Sequence, residues 1–271
     1  MIIGKALIVP PPPVKVDKIL NNNTWEVIKY VADKSKGPNY WAVGDCKQVT
    51  MNGRVSSGLT LSNYTAWVYI IGFNHNAERE GNGIAFQGFK TAQTGGTDIC
   101  LVDSGYNSIP RHTGEPWFYM NELDTNTGGW EASEMRTKIM PLIKAAFPSD
   151  LQAVIKTSTI YTDNVGGSSG SIEANVTAAQ DDVYFLAEYE IFGSNSYANT
   201  YEASKQQQYA YYAAGNSKVK YKNNDTASAA NWWERSPRST SSHSFCIVYS
   251  NSHATDYYAN YSNGVAPAFK V

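Results

Sequence analysis

Asn231-Trp-Trp-Glu-Arg-Ser-Pro237 and Gly264-Val-Ala-Pro-Ala-Phe269 bracket the stretch that decides the fold. Between them, residues 238–263 read Arg-Ser-Thr-Ser-Ser-His-Ser-Phe-Cys-Ile-Val-Tyr-Ser-Asn-Ser-His-Ala-Thr-Asp-Tyr-Tyr-Ala-Asn-Tyr-Ser-Asn. These 26 positions hold seven Ser, four Tyr and three Asn, and no Lys, Glu, Gln, Met or Trp. At the composition of the rest of the chain, about five residues of the missing types would fall here. Tyr gives a large, rigid, amphipathic contact area at low entropic cost, and Ser and Asn supply adaptable hydrogen bonds; antibody contact loops share this composition. With charge nearly absent, binding by such a segment rests on aromatic burial and hydrogen bonding rather than on steering. Phe245, Cys246 and Val248 read as structural. Ile247, Tyr249, Asn251 and His253 recur at every second position, which on a strand places them on one face.

The rest of the chain sets bounds. Its 271 residues suit one large domain or two small ones. The balance of 22 Lys+Arg against 24 Asp+Glu leaves a net charge of −2. With no basic run, this argues against a nucleic-acid binder held by phosphate contacts and against an anionic-membrane binder. No apolar run approaches the roughly 20 residues of a membrane span. The N-terminus lacks the basic region and cleavage site of a signal peptide. Cys46, Cys100 and Cys246 are scattered and have no metal-ligand spacing, so buried reduced thiols are expected, in a protein made in a reducing cytoplasm.

Residues 1–20, with Pro10–Pro13, read as an extended arm of polyproline character, and 21–271 as one domain. A helix capped by Asn23 or Thr24 buries Trp25, Ile28 and Val31 and ends at Gly37-Pro38. Val49–Gly53 reads as a strand entering an Asn-Gly turn. Tyr64–Phe73 reads as a buried strand, and Ile84–Phe86 and Ile99–Val102 as shorter ones. Trp130–Ala146 is helical, kinked or split by Pro141. Ser149 and Gln152 form a capping box ahead of a short helix. Val165–Ser171 is a surface loop. Asp182–Ala187, Phe245–Tyr249 and Gly264–Phe269 read as strands, Tyr201–Ala214 as a helix closed by Gly215, and Lys218–Ala230 as a loop. The sum is an α+β fold of short, mostly antiparallel strands, two or three helices and long loops.

Little points to catalysis. There is no H-E-x-x-H, nucleophile elbow, phosphate loop or dinucleotide fingerprint. His243 and His253 sit in the most polar loop and read as contacts rather than metal ligands. His75 closes a strand and suits a local hydrogen bond. Asp181 and Asp182 point to opposite faces of a strand. Glu188 and Glu190 would share a strand face, which makes them the one carboxylate pair worth testing.

The genetic code supplies a second reading of 238–263. Lys, Glu, Gln, Met and Trp are the residues that an Asn codon cannot reach when its two adenines alone are mutated. A segment written without them looks like the product of adenine-directed mutagenesis. Its flanks, W-W-x-R-S-P at 232–237 and G-V-x-P-A-F at 264–269, resemble a phage and bacterial family that includes the variable proteins of diversity-generating retroelements. Val43-Gly-Asp45, Gly72-Phe-Asn-His75, Gly129-Trp130 through Met135-Arg136, and Phe185 through Gly193 extend the resemblance over about residues 25–271.

The resemblance implies a C-type-lectin-like fold, shared in outline with formylglycine-generating enzymes. It also implies a non-enzymatic protein that displays a hypervariable surface to a changing ligand. The expected partner is a protein or glycan receptor on a bacterial surface, and the expected location is a phage virion tail tip or, alternatively, a bacterial cell surface. A homo-oligomer such as a trimer fits a tail-tip protein by analogy, and neither cofactor nor metal is expected. The expected contact residues are Thr240, Ser242, His243, Ser244, Ile247, Tyr249, Asn251, His253, Thr255, Asp256, Tyr257, Tyr258, Asn260 and Tyr261, with the four tyrosines as energetic anchors. Trp232, Trp233 and Arg235 are expected to be scaffold. Glu234 and Arg235 would pair with or cap nearby groups. The sequence lacks the Glu-Pro-Asn, Gln-Pro-Asp and Trp-Asn-Asp motifs of calcium-dependent sugar binders. Two other readings are a static structural virion protein, and an enzyme of the same fold in which Glu188/Glu190 or Cys246 converge with a histidine.

Overall fold

The spacing of apolar residues explains the first helix. In α1, Trp25–Asp33, the inward face is Trp25, Ile28, Val31 and Ala32, and Thr24 accepts a hydrogen bond from the Val27 amide. The structure is a computed structural model that describes residues 14–103 and 113–271. The Pro10–Pro13 run and His112 lie outside the described residues. Of the expected arm, the described part lies against the domain, where the Asp17 amide donates to Asn23 and the Trp41 indole donates to the Asp17 carbonyl.

Strands β1, Cys46–Ser56, and β2, Leu59–Phe73, form a long antiparallel hairpin. The expected turn at Asn52-Gly53 is instead a bulge inside β1: buried Val55 carries the strand onward, Gly53 takes φ +128°, and the chain reverses at Ser57-Gly58. A short helix α2, Ala77–Glu80, leads to β3, Ile84–Lys90. Ile99–Val102, expected as a strand, makes only isolated bridges to Tyr221 and Val265. The Trp130–Ala146 helix is split, but at Ser133, whose extended backbone ends α3 eight residues before Pro141, and the chain stays helical through the proline. It runs as α3, Gly129–Ala132, a π-helical turn over Met135–Ile139, and α4, Met140–Ala146, with the proline in the first turn of α4. In α5, Ser149–Gln152, the expected capping box is absent. Pro148 occupies the cap position, and Gln152 reaches back to the carbonyls of Ala145 and Phe147.

Next come β4, Ser158–Asp163, paired with β5, Val176–Asp181, and then β6, Val183–Tyr184. The expected strand through Ala187 stops at Tyr184, and Glu188–Phe192 is helix α6. The expected helix 201–214 is also broken. It is a 3-10 turn at Thr200–Ser204 and a single turn α7, Ala210–Ala213, because Gln206 and Gln208 turn inward to bond the Tyr161 and Ile191 carbonyls. The chain ends with β7, Lys220–Tyr221, β8, Ala229–Ala230, β9, Trp232–Pro237, β10, Ser244–Val248, β11, Ala254–Tyr258, and β12, Ala268–Lys270.

The main sheet has the order β1-β2-β3-β12-β6, every neighbour antiparallel. Trp25 of α1 meets Phe86 and Phe269 of this sheet edge-on, with centroids 5.4 and 6.1 Å apart. A second sheet, β11-β10-β9, carries residues 232–258. The two are tied where Trp232 bridges Gly264. A Cβ on Gly264 would lie 2.3 Å from the Cys100 sulfur and 2.8 Å from the Asn231 carbonyl oxygen, so only glycine permits this approach. The result is an α+β fold of mostly antiparallel strands and short helices. Among the described residues, no helix is long and apolar enough to cross a membrane.

Candidate functional site

The site is built on β9. Trp232 and Trp233 are fully buried and satisfy their indole N–H groups on the carbonyls of Lys218 and Phe118, at 2.9 and 3.1 Å. Arg235, also fully buried, holds Glu190 of α6 with both terminal nitrogens, at 2.6 and 2.5 Å, and donates to the carbonyls of Phe185 and Tyr161. Glu190 in turn accepts the Ala187 amide, so one carboxylate both anchors the arginine and starts its own helix. Glu234 does not share in this. It is fully buried, neither of its oxygens has a hydrogen-bond partner, and burial together with the nearby Glu188 and Glu202 carboxylates pushes its pKa far up.

The β10–β11 hairpin projects from this frame. Of the fourteen expected contact residues, Thr240, His243, Tyr249, Asn251, His253, Tyr258 and Tyr261 are exposed, while Ser242, Thr255, Asp256, Tyr257 and Asn260 are half-buried. Ser244 and Ile247 are buried and cannot serve as displayed contacts. The alternation that placed Ile247 outside fails because β10 is the middle strand of its sheet and is covered on both faces. Tyr257, Tyr258 and Tyr261 touch one another edge-on or tilted, with centroids 5.1 to 6.4 Å apart. Tyr257 also packs on the core, so it joins the patch to the scaffold.

Three clefts surround Tyr257. One of about 320 Å³ runs between Tyr249, Thr255 and Tyr257. A second, of about 420 Å³, lies between Arg238, His243, Asp256 and Tyr258. A third, of about 370 Å³, lies between Asn231, Tyr249, Tyr261 and Ser262. The sequence reading missed Arg238, which pairs with Asp256 at 2.6 Å and lies over the Tyr197 ring. Its signal was present, since it is the only Lys or Arg in 238–263.

The residues with potential chemistry lie apart from this face. Glu188 and Glu190, now on a helix, diverge: Glu188 accepts the amides of Ser196, Tyr197 and Ala198, and Glu190 holds Arg235. The Cys246 thiol is fully buried 3.9 Å from Glu188, and burial pushes its pKa far up, away from a reactive thiolate. Cys46 and Cys100 are buried free thiols as well. His75 closes no turn through its ring. It stacks on Tyr209 at 3.5 Å, its Nε2 has no hydrogen-bond partner, and burial lowers its pKa to about 3.

His75, Glu80 and Glu190 have ligand atoms within 4.8 Å of one another, the one such metal-sized group among the described residues. Burial, and then the Glu190 charge, push Glu80 up to about 7. Lys270 stands 3.4 Å from Glu80, and Arg235 grips Glu190. Two cations thus already neutralise the two carboxylates, and a divalent ion would add uncompensated charge. The cluster reads as a buried polar network that locks α6 to β9 and α2 to β12.

The chain belongs to the family described as Domain of unknown function (DUF6273), whose match spans residues 117–271 and so contains β9, β10, β11 and every cleft around Tyr257. No curated protein and no solved structure matches it.

Proposed function

We propose that this is a non-enzymatic binding protein whose β10–β11 hairpin and following loop form a diversified contact face on a fixed scaffold of C-type-lectin-like fold. One observation carries the reading: Tyr249, Tyr258 and Tyr261 stand 43, 53 and 52% exposed beside half-buried Tyr257, in the sheet and adjoining loops that also contain a strand whose tryptophans and arginine are fully buried. Exposed tyrosines this dense are costly to leave bare and serve as anchors when a partner covers them. Ser242, Asn251, His253 and Thr255 around them supply hydrogen bonds without fixing one partner chemistry. Substitution at exposed positions costs the scaffold little. The alphabet of 238–263 fits adenine-directed diversification by a retroelement, and a receptor on a bacterial surface fits a phage tail-tip protein.

The test is to sequence this gene across related isolates. Substitutions concentrated in 238–263, falling on the adenines of Asn codons in a near-identical template repeat and sparing the codons of Trp232, Trp233 and Arg235, are expected. Substitutions spread evenly over the chain would sink the diversification reading and leave a static structural protein.

A further inference from the structure

Strand β11 is the outer strand of its sheet. The register fixes which of its backbone groups face outward. The Tyr249 amide donates to His253 and the Ala259 amide to His243, so in the alternating antiparallel ladder the bonded pairs between them are Ile247/Thr255 and Phe245/Tyr257. Ala254, Asp256 and Tyr258 therefore turn their N–H groups away from β10. Among the described residues nothing accepts from these three amides, and nothing donates to the carbonyls of Ala254 and Asp256. Unlike protected edges, this one carries no lysine, proline or bulge.

Two clefts border this edge, and Asp256 and Tyr257 wall both: Tyr258 completes the 420 Å³ cleft, and Ala254, Thr255 and Tyr249 complete the 320 Å³ cleft. A strand laid along β11 would lie over both. In the first cleft Asp256 is paired with Arg238, and the second adds the rings of Tyr249 and Tyr257.

We infer that the partner at this face contributes an extended polypeptide segment that adds as a further strand to β11, with its side chains lying over the clefts on either side of Asp256 and Tyr257. Backbone pairing supplies an attachment common to every variant, and the two clefts supply the part that changes. This rests on the reading of the hairpin as a contact face and names the chemistry of what it contacts.

The experiment uses the full chain and a display library of random linear decapeptides. Enriched peptides are expected, and their binding should slow hydrogen exchange at Ala254, Asp256 and Tyr258. Asp256→Pro removes one outward N–H at a position where an edge strand tolerates proline, and should weaken peptide binding by about tenfold or more. Asp256→Asn keeps that N–H and should weaken it less. Equal losses in the two variants, exchange unaltered at the three amides, or no enriched peptide would each overturn strand addition. Should Asp256→Pro not fold, the exchange result on the unaltered chain decides. A glycan array bound in a Tyr258-dependent way, without peptide binding, would overturn this inference alone. Peptide binding that slows exchange nowhere in 238–263 and is indifferent to Tyr258→Ala would overturn the contact-face reading itself.

Discussion

Strand β9 and the β10–β11 hairpin are joined by a six-residue connection yet follow opposite rules. All six residues of β9 are buried, and its one cation is held by Glu190 from 45 residues away. The hairpin's outer strand is half-buried or exposed along its whole length, and two of its tyrosines, Tyr257 and Tyr258, pack on each other and on Tyr261. The difference teaches where tolerance to change comes from. A position is free to vary when its side chain completes no long-range bond and fills no interior volume, and this depends on which strand of the sheet it occupies more than on residue type.

The sharpest way to break the contrast is to unpair the frame. Arg235→Ala leaves Glu190 buried without its partner, and chemical denaturation should show a loss of about 3–5 kcal/mol. Ile247→Ala comes next. If Ile247 were part of the displayed set the change would be nearly silent. Because it is buried in the central strand, a loss of about 2–4 kcal/mol is expected in the same measurement.

The frame should also respond to acid. His75 has a folded pKa near 3, below its unfolded value of 6.5, so the unfolded chain binds the extra proton between those values. Its contribution is complete above pH 6.5 and is lost as the pH falls toward 3. Glu80, raised to about 7, works in the opposite direction: its contribution is complete below its ordinary value near 4.5 and is lost as the pH rises through 7. The informative quantity is therefore a difference. Between pH 6.5 and pH 5 the unaltered chain should lose about 2 kcal/mol more than His75→Phe. The smallest effect belongs to the hairpin: Tyr258→Ala should change unfolding stability by less than about 0.5 kcal/mol. A loss as large as that of Ile247→Ala would place Tyr258 with the frame and erase the contrast.

Local rules made much of this legible. The cap and spacing of α1 and the long apolar β2 are properties of short windows, and each has its counterpart in the structure. What the sequence hid depends on partners far along the chain. The Glu188–Phe192 stretch has the residues of a strand, but Glu190 caps its own helix and reaches Arg235, and those bonds decide its form. The alternation through Ile247 is real. It marks two faces, but both are covered in a middle strand, and only the tertiary arrangement says that β10 is the middle one. His75 likewise gives no local sign of the Tyr209 ring on which it stacks, 134 positions later in the chain.

The order of strands in the main sheet has one more implication. β12 follows the tyrosine hairpin in the chain but lies inside the sheet, between β3 and β6. The sheet can therefore close only after the hairpin has been made, and a hairpin substitution that kept β12 from its place would leave β3 and β6 without their shared neighbour.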